Sequence, residues 1–225
     1  FYINDKSIGF SADEAWDFTE RKVYEGRGVY KGKYTQDVVV AILDDGLTDS
    51  SYISPDISPI LWKAKDDVCV DYNYKKIKCP FGGIDIRKYL DSDSSYNEKL
   101  SNGKHGEGMA TLIAGQMENN FAIAGINNVK SFKEQYVRIM PIKIDKGYYG
   151  DNISSVEIVS GMHFAKNNLA NLVNLSLEKV YTQGGDPAVA EAIRQAGQRG
   201  IFTITSDSWL CKVSEIDYRG QIVKP

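Results

Sequence analysis

The chain has 225 residues, of which 42% are apolar and 25% charged, and its formal net charge is -3. That length suits one large α/β domain or two small ones and can bury a substantial core. The mixed charges leave no basic stripe for a nucleic acid, and no apolar run reaches the roughly 18 residues of a membrane span.

In chain order, residues 1–35 are polar and aromatic, with one helical patch around Ala12 to Phe18. The run Asp37-Val38-Val39-Val40-Ala41-Ile42-Leu43 is apolar and β-branched, and predicts a strand buried on both faces, as in the middle of a parallel sheet. It ends in Asp44-Asp45-Gly46. Residues 47–104 are rich in Ser, Asp, Tyr, Lys and Pro, and predict a long irregular surface excursion with one or two short strands. Cys69 and Cys79 lie within it. They suit a short bridge in an oxidising compartment, and equally a pair of ordinary thiols.

From His105 the spacing of Met109, Leu112, Ile113 and Met117 predicts a helix, and Gly106, Gly108, Ala110 and Ala114 allow it to pack closely. Val137 to Ile144 reads as the next strand. Ser154 to Asn168 reads as a helix, capped by Ser154 or Ser155 with Glu157 in its first turn. Leu172 to Leu177 is a strand, Pro187 to Gly197 a helix opened by Asp186-Pro187, and Ile201 to Thr205 a strand. This alternation predicts an α/β fold with a central, mostly parallel sheet covered by helices, in three layers, taken as a single domain over residues 1–225.

In such sheets, sites form at the carboxyl ends of the strands. Asp44 and Asp45 follow the first strand, Ser176 and Glu178 a middle one, and Ser206, Asp207 and Ser208 the last. His105 opens the small-residue helix. An acid at a buried strand end beside such a histidine makes an orienting pair: the carboxylate fixes the tautomer, and the far ring nitrogen is left to take a proton from a nucleophile.

Ala41-Ile42-Leu43-Asp44-Asp45-Gly46 resembles the Asp motif of the subtilisin-like serine proteases, the subtilases, and its Asp-Asp-Gly form is similar to the kexin and proprotein-convertase branch. His105-Gly106-Glu107-Gly108-Met109-Ala110 resembles their His motif. Ile139 to Lys143, Ser160-Gly161-Met162 through Leu177, and Gly200-Ile201-Phe202 follow in the family's order, so the resemblance covers about residues 8–208. It implies a subtilisin-like fold and a serine peptidase triad, with Asp44 as the acid and His105 as the general base. It implies that Ser176, Leu177 and Glu178 line a cleft for an extended peptide or protein, added as a strand. Asp56, in Ser54-Pro55-Asp56-Ile57, and Asn120, in Asn119-Asn120-Phe121-Ala122, match family calcium positions, so Ca2+ is the implied cofactor. Turn chemistry accounts for both residues nearly as well.

The sequence also departs from the family. No Gly-Thr-Ser-Met-Ala type motif follows Ser208, so the domain reads as incomplete at its C-terminus relative to the family. The oxyanion asparagine is replaced at Asp207 or Ser208. Glu107 and Gly108 replace the usual pair after His-Gly, and Glu178 stands where relatives have glycine. These departures predict a degenerate, binding-only pseudoprotease, with the first part of an active serine endopeptidase as the alternative. An interaction domain working through the 47–104 excursion is a third function class. Asp44-Asp45 also resembles the metal-binding pair of phospho-receiver domains, but the long excursion and the glycine-flanked His105 have no place there. Asn152-Ile153-Ser154 is a glycosylation sequon, and with the cysteines it favours a secreted or secretory-pathway protein. The chain begins at Phe1, as a processed form does, so its start gives no address.

Overall fold

The computed structural model describes residues 37–47, 54–79, 82–90, 103–116, 120, 125–127, 137–144, 153–176, 186–205, 215–216 and 222–223. Five strands form one parallel sheet: β1 (Val38–Asp44), β4 (Ile84–Asp85), β5 (Val137–Lys143), β6 (Leu172–Leu175) and β7 (Phe202–Thr205), in the order β4-β5-β1-β6-β7. The apolar run of β1 lies at the centre because both of its faces are covered. Its residues after Val38 are buried throughout.

Alternation along β1 divides the core into two layers. Val39, Ala41 and Leu43 pack with Met140, Ile142, Val173 and Leu175 against Met162, Phe164 and Ala165 of helix α3 (Ser155–Asn167) and Val189 and Ala192 of helix α4 (Pro187–Gln198). Val40, Ile42 and Ile139 pack against Ala110 and Ala114 of helix α2 (Lys104–Ala114), together with Leu47, Ile57 and Ile60. The sheet is therefore flanked by helices on both sides, the three-layer architecture that the sequence predicts. Gly161 lets α3 sit close to the sheet: a Cβ there would stand 3.0 Å from Leu43 Cδ2 and 3.2 Å from Ile144 Cγ2.

The helix starts follow the sequence signals. Ser154 and Glu157 form a capping box on α3, with Ser154 N–H donating to Glu157 Oε2 at 2.6 Å. Arg87, on the short helix α1 (Ile86–Leu90), pairs with the other oxygen of Glu157 at 2.5 Å. Asp186 caps α4 through Ala188 N–H and Val189 N–H and accepts the Ser155 hydroxyl, so the two helix starts are tied together.

The described part of the excursion is more regular than composition suggests. It holds two 3-10 turns (Ser58–Ile60 and Lys65–Asp67) and an antiparallel hairpin of β2 (Val68–Val70) and β3 (Lys76–Lys78). The Cys69–Cys79 disulfide closes this hairpin with Cα atoms 5.9 Å apart, which resolves the cysteine alternative. Asn168 holds the hairpin to the end of α3, accepting Val70 N–H at 2.9 Å and donating to Val70 O at 2.7 Å. The excursion also supplies β4, an edge strand of the main sheet. A two-residue strand beside Gly82 and Gly83 carries too little periodicity to be read in advance. A last small antiparallel pair joins β8 (Glu215–Ile216) and β9 (Ile222–Val223). The helical patch expected around Ala12 to Phe18 lies outside the described residues.

Candidate active site

Alternation that turns Val40 and Ile42 toward α2 turns Asp44 the same way, at the carboxyl end of β1. Its side chain is 1% exposed. His105 is the second residue of α2, on the same side of the sheet, and its ring is 54% exposed. Nδ1 of His105 lies 2.9 Å from both carboxylate oxygens of Asp44. The Asp45 backbone N–H also donates to Asp44 Oδ1, at 2.8 Å.

Burial pushes the Asp44 carboxyl up, to about 6. The Asp45 N–H bond and His105 pull against that rise, and the neighbouring Asp45 charge adds to it. A carboxylate taken out of water is costly unless bonds compensate, and here they compensate in part. The ring beside it has one nitrogen facing a buried acid and an exposed outer edge. Such an arrangement can hold a neutral imidazole in one tautomer and steady the imidazolium once a proton arrives.

Backbone contact brings the two elements together. Gly46 has a φ of 99°, in the region that favours glycine. A Cβ on Gly103 or Gly106 would run into the Gly46 carbonyl, so the turn after β1 meets the start of α2 with no side chain between them. Gly103 N–H donates to Leu47 O at 3.2 Å. Glu107, an unusual residue for the motif, accepts Ser54 N–H at 3.0 Å and ties α2 to the 54–57 turn.

Of the other sequence-derived positions, Ser176, Asp56 and Asn120 are among the described residues. Ser176 follows β6, and its hydroxyl donates to Asn174 Oδ1 at 3.1 Å. Leu177, Glu178, Asp207 and Ser208 lie outside the described residues. Asp56 is buried in the 54–57 turn, and Asn120 is exposed with a φ of 57°. Among the described residues, no group of three or more His, Cys, Asp or Glu side chains could hold a metal ion. The residue that motif reading passed over is Asp45, whose carboxylate accepts Gly106 N–H at 2.8 Å and His105 N–H at 3.2 Å. The signal for it was present: a second acid after a buried strand, and a helix whose N-cap is a glycine.

The sequence profile of the subtilase family of S8 peptidases matches residues 35–207. The chain belongs to the subtilase family. The match is to the family as a whole and assigns no kexin branch. A search of curated proteins returned no match. Among solved structures, the subtilase chain is similar to a mutant of the protease domain of PatA, at 17% identity and a TM-score of 0.45, over 77% of this chain and 51% of that one. It is similar to the prenylagaramide maturation protease PagA, at 14% and 0.42, over 75% and 44%. It is also similar to MycP1 with its N-terminal propeptide removed, at 16% and 0.45, over 86% and 48%. The chain thus spans about half the length of each. In this subtilase, no helix among the described residues is long and apolar enough to cross a membrane.

Proposed function

We propose that this subtilase chain carries the acid and the base of a serine endopeptidase site that acts on extended peptides. The observation behind this is the pairing of buried Asp44 with half-exposed His105 at 2.9 Å, in a chain of this family. His105 Nδ1–H donates to Asp44, which fixes the tautomer and balances the imidazolium. Nε2 takes the proton of a serine hydroxyl as its oxygen attacks the peptide carbonyl, then returns it to the leaving amine. Ser176 is not that serine: it lies at a strand end with its hydroxyl turned to Asn174. With Leu177 and Glu178, it is proposed to line the peptide. The Cys69–Cys79 bridge supports an oxidising compartment.

Calcium belongs to the same proposal. Asp56 and Asn120 would each supply a hard oxygen, the right donor chemistry, toward the six to eight that the ion takes. A rise in melting temperature on adding calcium, lost in Asp56→Ala, tests it.

Peptide binding without cleavage is the second function considered, favoured by the sequence, where Asp207 or Ser208 stands in place of the oxyanion asparagine. An anionic Asp207 there would repel the developing oxyanion, and with either residue the loss of the asparagine donor costs about 2.7–4 kcal/mol. Fluorophosphonate labelling of the chain and of any longer natural form separates the two. Labelling that disappears in His105→Ala supports the peptidase. A folded, full-length natural form that takes no label supports binding alone.

A further inference from the structure

The helix that carries His105 starts without a cap of its own. Its N-cap residue is Gly103, and no side chain there accepts the first amides. The first N–H groups of a helix have no intrahelical partner and need acceptors. Here the acceptor comes from 60 residues away in sequence. Asp45, one residue past the end of β1, takes Gly106 N–H on Oδ1 at 2.8 Å and His105 N–H on Oδ2 at 3.2 Å. A carboxylate on these amides is a charge-assisted cap at the positive end of the helix dipole. Asp45 N–H meanwhile donates to Asp44 Oδ1. One residue therefore touches both halves of the pair: its backbone holds the acid, and its side chain holds the turn that bears the base. The bare backbones of Gly46, Gly103 and Gly106 give it that reach.

We propose that Asp45 is a positioning residue of this site: it clamps the first turn of α2 to the end of β1 and so sets where His105 stands against Asp44. The proposal rests on Asp44 and His105 being acid and base, as given above. Asp45 also tunes the acid electrostatically. Among the described residues, the titratable and charged groups facing Asp44 are Asp45 beside it, His105 from α2, and Lys143, its buried register neighbour on β5. Burial is the largest cause of the rise in the Asp44 carboxyl; the Asp45 N–H and His105 lower it, and the Asp45 charge adds a smaller rise.

Two substitutions separate clamp from charge. Asp45→Asn loses the charge and keeps one acceptor oxygen, enough for Gly106 N–H. Asp45→Ala loses both. Amide hydrogen exchange at His105 and Gly106, and a carboxyl 13C titration of Asp44, read the two effects by NMR without any peptidase activity. In Asp45→Ala, both amides should exchange roughly fivefold faster, the size of a lost cap. In Asp45→Asn, only the His105 amide should speed up. The Asp44 midpoint should fall in Asp45→Asn, which removes the neighbouring charge and keeps the Gly106 bond. If Asp45→Ala does not fold, Asp45→Asn alone carries the test. These shifts in the variants, with a full-length natural form that takes no fluorophosphonate, would sustain the clamp and remove only the peptidase assignment. An unchanged His105 amide or an unmoved Asp44 midpoint in Asp45→Asn overturns the proposal.

Discussion

Replacing Asp44 with asparagine removes a charge that the fold holds at a cost. Burial raises this carboxyl from 3.8 to about 6, so the native chain binds its proton more tightly than the unfolded chain does. Between those values the folded state carries more protons, and stability falls as pH rises. The contribution is fully present below about pH 4 and is lost as pH rises through about 6. At 1.36 kcal/mol per unit, the loss is about 3 kcal/mol. Asparagine is uncharged at every pH and has no such slope. Urea unfolding at pH 4, 5, 6 and 7 should show Asp44→Asn gaining on the wild type by about 2.4 kcal/mol over that range, whatever its offset at pH 4. The wild-type slope should steepen in His105→Ala, because His105 is one of the groups that pull Asp44 down. Parallel curves for wild type and Asp44→Asn would refute this account of the acid.

Two further outcomes follow from the packing. Gly106→Ala drives a Cβ into the Gly46 carbonyl, and the overpacking should cost about 2–3 kcal/mol in urea unfolding, against little for Gly108→Ala, where the added Cβ meets open space. Cys69→Ala opens the bridge that closes the hairpin across a sequence separation of 10, and the chain-entropy model gives a loss of about 2–3 kcal/mol, matched by reducing the wild type.

The main elements were legible because each carries its own local signal. The β1 run is apolar at every position, as a strand covered on both faces must be, and Ser154-Glu157 and Asp186-Pro187 mark two helix starts within a residue. Asp44 and His105 could be named because the family motifs span them, and their distance is a fact of the fold. What stayed hidden depends on contacts between distant segments. β4 enters the main sheet through two residues, too few to show a period. Asp45 was read as part of a motif, and its capping of α2 needs the 103–106 turn beside it. Glu107 looked only like a departure from the His motif, but it accepts Ser54 N–H and joins α2 to the neighbouring turn.

The tautomer of His105 tests the central claim most directly. The chain has two histidines, and burial of His163 holds its ring below the ordinary range, which helps tell the two apart. Long-range 1H–15N spectra at pH 8 should show His105 protonated at Nδ1 and bare at Nε2, with that preference lost in Asp44→Asn. A wild-type ring protonated at Nε2, or one indifferent to Asp44→Asn, would contradict the assignment of Asp44 and His105 as acid and base.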